Sequence, residues 1–253
     1  MLWYKSWLDT RWRFLIGLAV LLVSACGILM THEQFQRLLP MIGAMNVPDG
    51  PLTESIEEAV RIQRTYRGFV WSQWFDGNLT WMATLFAALL ASGNSLAGPG
   101  RGVLFSLALP VTRRRWIGSR AAVGLAELFV LLLVPSLAIP LLSPLIGEQY
   151  ALSAALAHAG CAFVVASAFF GLASLLSTMF NDVLKPLVLT CLAALGLAIG
   201  ETFIPNVYGP FEVMSGESYF YDGSLPWVGL LVSVLLTAAL LYAAAAHVVR
   251  RDF

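Results

Sequence analysis

The stretch Ala121–Ile146, AAVGLAELFVLLLVPSLAIPLLSPLI, decides the fold class of this chain. Its only charged residue is Glu127. A helix that crosses the hydrocarbon core of a bilayer needs about 20 mostly apolar residues, and this run exceeds that length. Pro135, Pro140 and Pro144 predict a kink or an early end near its second half. The stretch therefore predicts a membrane-spanning helix.

Apolar stretches of the same kind lie before and after it. The predicted spans are Phe14–Met30, Leu79–Leu96, Ala121–Ile146, Ala151–Leu176, Leu184–Phe203 and Leu225–Val249. Of the 253 residues, 58% are hydrophobic and 12% are charged, whereas a soluble domain usually carries about a quarter charged residues. No linker rich in proline, serine or charge divides the apolar runs. The sequence predicts one all-α transmembrane domain over residues 1–253, with six spanning helices.

The basic residues set the predicted orientation of these spans. With the N-terminus in the cytoplasm, 11 of the 15 lysines and arginines fall on the cytoplasmic side. Cytoplasmic loops of membrane proteins carry this excess of positive charge. The eight tryptophans lie at or near predicted span ends, as residues of interfacial aromatic belts do. Both termini are therefore predicted to lie in the cytoplasm, with the chain in the inner (cytoplasmic) membrane.

The segment before the first span, residues 2–13, has an amphipathic pattern. Trp3, Trp7 and Thr10 follow i, i+4, i+7 spacing, while Lys5 occupies another face. This pattern favours a short helix that lies in the membrane interface before the chain turns into the bilayer. A simple anchor that uses only the positive charges of the segment is the alternative interpretation.

The predicted external loop, residues 31–78, is the largest segment outside the spans. Its second half contains the capping-box pattern Ser55-x-x-Glu58, which is typical of a helix start. The loop is therefore predicted to form a small helical cap on the outer side of the membrane.

The cytoplasmic loop between the second and third spans, residues 97–119, has a pattern that topology alone does not explain. Gly98-Pro99-Gly100 ends the second span, and Val103–Leu109 is apolar enough for a short helix held against the membrane. Pro110 stops that helix, and Thr112 can cap the next one. In the simpler interpretation, the three arginines that follow are topology signals that contact anionic lipids.

The stretch Ser106–Arg120, SLALPVTRRRWIGSR, resembles the cytoplasmic loop of ABC-2 type transporter permeases. These are membrane subunits of ABC transporters with the type V exporter-like fold, in which a Leu-Pro-Val-Ser/Thr-Arg-Arg pattern leads into the third span. An interfacial N-terminal helix and the terminal Arg250-Arg251-Asp252-Phe253 agree with the resemblance. The six-span plan extends it over nearly the whole chain, although the external loop is longer than the minimal family pattern.

The resemblance implies both a function and partners. It implies that the segment around residues 103–116 is a coupling helix that docks on a separate ATP-hydrolysing subunit, present in two copies. It also implies a dimer with a second permease subunit, the same or related, and a translocation path between the two. The implied docking residues are Leu107, Leu109, Pro110, Val111, Thr112, Arg113, Arg114 and Arg115.

The chain itself is predicted to hold no cofactor. It contains no G-x-x-x-x-G-K-[ST] phosphate-binding loop and no soluble segment long enough for a nucleotide-binding domain. ATP and magnesium are therefore expected on the partner ATPase. Three dispersed histidines and three isolated cysteines predict no metal site, and the net charge of zero gives no case for nucleic acid as a partner.

Four residues within the spans are candidates for special roles. A carboxylate as deep as Glu127 is costly, so it either lines a pathway or bonds to a neighbouring helix. His158 lies near the outer end of its span and Glu127 near the inner end of its own, so the two are not expected to pair. Gly196 and Gly200 form a GxxxG match. Because the resemblance places span five near the subunit interface, they are candidate dimer contacts.

The leading interpretation is the permease subunit of an ATP-driven ABC transporter that acts as an exporter. A polytopic membrane enzyme and a non-transporting membrane assembly factor are the alternatives. An enzyme needs a convergent set of nucleophile, base, paired acids or metal ligands, and Glu127 and His158 are predicted at different depths. No catalytic residue is therefore expected, and no motif identifies the substrate or the direction of transport.

Overall fold

The structure, a computed structural model, describes residues 2–43, 58–92, 113–180, 182–203 and 209–250. Within these residues the chain is all-helical and contains no strand, which confirms the predicted fold class at that level. Most of the predicted docking loop, residues 97–112, lies outside the described residues, as does Ser55 of the capping-box pattern.

The helices are numbered here in chain order. They are α1 Leu2–Gly43, α2 over residues 58–63, α3 Tyr66–Val70, α4 Thr80–Ser92, α5 Arg113–Leu142, α6 Leu152–Met179, α7 Leu184–Phe203, α8 Pro210–Ser215, α9 Glu217–Asp222 and α10 Trp227–Arg250. A π-helix, Trp71–Leu79, joins α3 to α4. A 3-10 turn, Ser143–Ile146, follows α5 and ends at Gly147, whose φ is +78°.

Five of the described helices are long and apolar enough to cross a membrane. Their spanning segments are Trp3–Leu38, Arg115–Ile146, Leu152–Met179, Leu184–Phe203 and Trp227–Val249. These match the predicted first, third, fourth, fifth and sixth spans, and they confirm the membrane character of the chain. The second predicted span, Leu79–Leu96, is helical as far as Ser92, and its last residues are not among those described. The count of six spans stays a prediction.

The N-terminal segment does not form a separate interfacial helix. α1 is one continuous helix of 42 residues, which at 1.5 Å per residue is about 63 Å long. The turn expected between residues 2–13 and the first span is absent, so that prediction is wrong. The reason lies in the sequence, because no proline precedes Pro40 to break the helix. α1 also continues past the predicted end of the span at Met30.

The second helical segment begins well before the predicted span. α3 starts at Tyr66, where the N-cap Thr65 accepts the N–H of Gly68 at 3.1 Å. The π-helix then carries the chain without interruption into α4. Residues 66–78 were expected in the external loop, but they belong to this helical segment. Of the predicted helical cap, residues 51–70, the described part contains α2 and α3.

Two tryptophans depart from the predicted aromatic belt. Trp71 and Trp74 are 6% and 0% exposed, whereas Trp12 and Trp227 are 66% and 65% exposed. The buried pair lies on the π-helix, where the indole of Trp74 reaches Ser136 of α5 at 3.5 Å. The belt interpretation is therefore wrong for Trp71 and Trp74, whose rings pack within the protein.

α6 is the central helix of the bundle. Within the most apolar 18 residues of α6, 67% are buried, whereas only 17% are buried in the corresponding stretches of α7 and α10. Small residues allow neighbouring helices to approach α6 closely; those that are buried include Ala155, Ala159, Ala162, Ala166 and Ala173. α7 and α10 therefore present most of their surface to the surroundings of the protein.

The two ends of the bundle differ in chemistry, and they are named here by their residues. The arginine end contains Arg13, Arg115 and Arg120, where α1 and α5 begin. Arg13 of α1 donates to the carbonyl of Leu89 at 3.0 Å, so the last described turn of α4 lies there too. The aromatic end contains Trp71, Tyr150 and Phe220, and here Phe75 stacks near Tyr150, with ring centroids 6.1 Å apart.

Gly124 provides a test of the packing between α5 and α6. A Cβ atom at Gly124 would lie 2.6 Å from the ring of Phe170, which is fully buried, whereas a Cβ at Gly118 in the same helix would meet nothing within 4 Å. We expect Gly124→Ala to lower the free energy of unfolding by about 1–3 kcal/mol through overpacking. Gly118→Ala should be neutral or raise it by up to about 1 kcal/mol.

Denaturant titration of both variants in detergent micelles measures these changes. Equal unfolding free energies for the two variants would contradict the close approach of α5 and α6 at Gly124.

Candidate functional site

The predicted docking loop precedes the long helix α5 in the sequence. The structure describes α5 from Arg113 onward, and Thr112 precedes it in the sequence. Leu107, Leu109, Pro110, Val111 and Thr112 fall outside the described residues, and Arg115 is exposed on the first turn of α5. Arg113 and Arg114 are the first two residues of the helix. The docking role of this segment stays a prediction.

Glu127 is bonded to a neighbouring helix. Glu127 is 5% exposed, and its Oε1 accepts a hydrogen bond from the hydroxyl of Thr10 at 2.6 Å. Thr10 belongs to α1 and is itself only 6% exposed. Oε2 has no hydrogen-bond partner among the residues that the structure describes. Of the two roles that the sequence left open for Glu127, this geometry is that of a carboxyl that holds two helices together.

A second polar contact joins the same two helices nearer the start of α5. Arg120 pairs with Asp9 of α1 at 3.6 Å, and its guanidinium lies 4.9 Å from the centre of the Trp116 ring. We call this pair, together with Thr10–Glu127, the α1–α5 contact. Because both pairs lie at the arginine end, the N-terminal part of α1 is fixed to the part of α5 that follows the docking loop.

His158 lies at the opposite end of the bundle and is fully buried. Its Nδ1 is 2.8 Å from the carbonyl oxygen of Ser215, which also accepts the indole N–H of Trp71 at 3.3 Å. Since a carbonyl oxygen only accepts, Nδ1 carries the proton of the neutral ring. Phe75 stacks on the imidazole at 4.7 Å and Tyr219 meets it edge-on at 5.5 Å. His158 therefore holds the segment after α7 against α6.

That segment, α8 and α9, was not foreseen from the sequence. The two short helices meet at Gly216, whose φ of +68° favours glycine and whose Cβ would lie 2.7 Å from Nδ1 of His158. Phe220 stacks on Trp71 with ring centroids 4.4 Å apart. Arg67 donates to the carbonyl of Phe220 at 3.0 Å. Two features of the sequence could have predicted this segment: Gly216, and the aromatic run that follows it.

Acidic side chains surround α8 and α9. Burial raises the pKa of Glu217, and the nearby carboxylates of Glu212, Asp76 and Glu58 raise it further. Glu201, near the end of α7, accepts the backbone N–H of Phe211 at 3.0 Å and so holds the start of α8. Sequence reasoning missed Glu201, because a carboxylate at a span end has no distinctive neighbours in the sequence.

The two ionisable candidates that the sequence placed within the spans, Glu127 and His158, do not come together among the described residues. Glu127 bonds to Thr10 at the arginine end, and His158 bonds to Ser215 at the aromatic end, so the two have separate partners. Among the described residues, no group of three or more His, Cys, Asp or Glu is arranged to hold a metal ion. The contacts of Glu127 and of His158 both join neighbouring helices.

Gly196 and Gly200 lie on an open surface of α7. A Cβ atom built at either glycine would meet nothing within 4 Å. Large apolar side chains surround them on the exposed part of the helix; Leu192, Leu195, Leu197 and Ile199 are all about half exposed. Within the part of the chain that the structure describes, neither glycine is used for helix packing, and this surface is open to lipid or to another helix.

Comparisons with known proteins do not assign the chain to a family. No protein-family model matches it, and no curated protein and no solved structure is significantly similar to it.

The α1–α5 contact can be tested with a double-mutant cycle. Thr10→Val removes the hydroxyl at nearly constant shape, so that Glu127 loses its donor, and it should lower the free energy of unfolding by about 1–3 kcal/mol. Thr10→Val combined with Glu127→Gln should show a coupling energy of about 0.5–3 kcal/mol in detergent unfolding experiments. Thr31→Val, which removes an exposed hydroxyl from the same helix, is the matched control. Additive effects at positions 10 and 127 would show that the two side chains do not interact.

Proposed function

We propose that this chain is the membrane-spanning permease subunit of an ATP-driven ABC transporter, an exporter coupled to a separate ATPase subunit. The observation that carries the proposal is the Leu-Pro-Val-Thr-Arg-Arg sequence of the docking loop, which runs into the long helix α5, described from Arg113 onward. A loop that leads into a long helix passes a displacement along the helix axis, because a hydrogen-bonded helix is stiff.

The α1–α5 contact supports a second step, in which the movement of α5 is passed on to α1. Asp9–Arg120 and Thr10–Glu127 tie α1 to the first half of α5. A movement of the α5 start, driven by the ATPase, therefore displaces the N-terminal part of α1 in the same direction. In this proposal Glu127 positions a helix, and it neither lines the translocation path nor binds substrate.

The open surface of α7 supports a dimer. A translocation path between two permease subunits needs a helix face that is not used within one chain, and α7 has such a face around Gly196 and Gly200. Glycines at i, i+4 allow two helix backbones to approach closely in a membrane. A second permease subunit, the same or related, is the proposed partner at this face.

The proposed location is the inner (cytoplasmic) membrane, with both termini and the arginine end in the cytoplasm. The excess of basic residues on that side is the support for this orientation. The docking loop then faces the compartment that supplies ATP. ATP and magnesium belong to the partner ATPase, of which two copies serve the permease dimer, and nucleic acid has no part in the proposed function.

Purification from the native membrane tests the proposed ATPase partner. The tagged chain should bring down an ATP-binding subunit in equal amount, and Arg113→Ala, Arg114→Ala and Arg115→Ala together should reduce its recovery about tenfold or more. The matched control replaces Arg37, Arg61 and Arg64 with alanine, which removes the same charge from exposed positions outside the docking loop. Absence of an ATPase under several mild conditions, or equal recovery with both triple variants, would refute the proposal.

The dimer face is tested by replacing the two exposed glycines of α7 with a larger residue. Gly196→Leu combined with Gly200→Leu should raise the dissociation constant of the dimer about tenfold, because leucine keeps the facing helices apart. Gly160→Leu in α6 is the control, since a Cβ there also meets nothing within 4 Å. Single-molecule photobleaching in lipid nanodiscs counts the subunits. An unchanged dimer in the double variant would place the interface elsewhere.

A further inference from the structure

A cleft at the arginine end has no part in the proposed function apart from Arg120, which also pairs with Asp9. It lies between the start of α5 and the ends of α6 and α10, and it is partly open to the outside of the bundle. α5 and α6 supply polar side chains to it, notably Arg120 and Ser174. α10 supplies an apolar wall of Leu241, Ala244 and Val248. One cavity therefore combines hydrogen-bond donors with a surface suited to hydrocarbon.

The hydroxyl of Ser174 is the first indication of a ligand. Ser174 is 6% exposed, and its Oγ has no hydrogen-bond partner in the part of the chain that the structure describes. Serine in a helix ordinarily donates to a carbonyl of the preceding turn, as Ser177 does to Ser174 at 2.9 Å. A buried hydroxyl without a partner is costly, and a polar group bound in the cleft would remove that cost.

Arg120 adds a positive charge to the same cleft. Its side chain is 13% exposed, it pairs with Asp9 at 3.6 Å, and it lies over the ring of Trp116. A guanidinium presents five N–H donors in a planar fork, which suits contact with more than one oxygen anion. A phosphate group, with several acceptor oxygens, matches both the guanidinium and the hydroxyl.

The position of the cleft favours a lipid as the source of that phosphate. Trp116 and the exposed Arg115 lie at the end of a spanning helix, where aromatic and basic side chains meet lipid headgroups. Pockets between spanning helices that carry basic side chains bind anionic headgroups. We propose that the cleft binds a membrane phospholipid, with its phosphate on Arg120 and Ser174 and an acyl chain along the α10 wall.

Native mass spectrometry of the delipidated, full-length chain tests this site. Three probes separate the possible sources of binding: dioleoyl-phosphatidylglycerol, dioleoylglycerol and inorganic phosphate. The phospholipid should bind at least about tenfold more tightly than dioleoylglycerol, which has the same chains without phosphate. Inorganic phosphate should neither bind at the same concentration nor displace the phospholipid. Equal binding of dioleoylglycerol, or displacement by inorganic phosphate, would overturn the proposal.

Two serine variants locate the site within the protein. Ser174→Ala should weaken phospholipid binding about tenfold, because one hydrogen bond to the phosphate is lost. Ser177→Ala removes a hydroxyl that bonds within its own helix, so it should bind as wild type does. Ala244→Leu, which fills the apolar wall, should abolish binding if it folds. Equal affinities of the two serine variants would overturn the site whatever the result with Ala244→Leu, since each loses a single oxygen.

Discussion

A bilayer offers no water to backbone N–H and C=O groups, and this constraint shapes the whole chain. Each polar backbone group at membrane depth must be bonded within the protein, so a spanning segment becomes a helix. With backbone groups satisfied inside each helix, the remaining differences between helices come from side chains. α6 is rich in small residues and lies at the centre, whereas α7 and α10 carry large apolar side chains and stay mostly exposed.

Polar contacts then fix how the helices are placed relative to one another. At the arginine end, Thr10–Glu127 and Asp9–Arg120 join α1 to α5. At the aromatic end, the carbonyl of Ser215 accepts from His158 and Trp71 and holds α8 against α6. Such contacts are directional, which apolar packing against lipid is not. The hydroxyl of Thr10 explains how the carboxyl of Glu127 is accommodated in a buried position between two helices.

The proposed transport function and the proposed lipid site use different faces of the arginine end. The transmission of movement runs from the docking loop through α5 to α1, while the cleft lies between α5, α6 and α10. Arg120 takes part in both, because it pairs with Asp9 and also lines the cleft. A phosphate bound there would share the guanidinium of Arg120 with the carboxylate of Asp9, so lipid occupancy and helix coupling would be linked through one side chain.

The sequence by itself determined the helical class, the membrane character and the approximate bounds of α5, α6, α7 and α10, because each depends on a local run of apolar residues. It also separated Glu127 from His158 by their depth. Only the tertiary structure decided that Thr10 is the partner of Glu127, that Trp71 and Trp74 are buried, and that α8 and α9 fold back onto His158. Those features join residues far apart in the chain, and local composition does not encode which distant side chain completes a hydrogen bond.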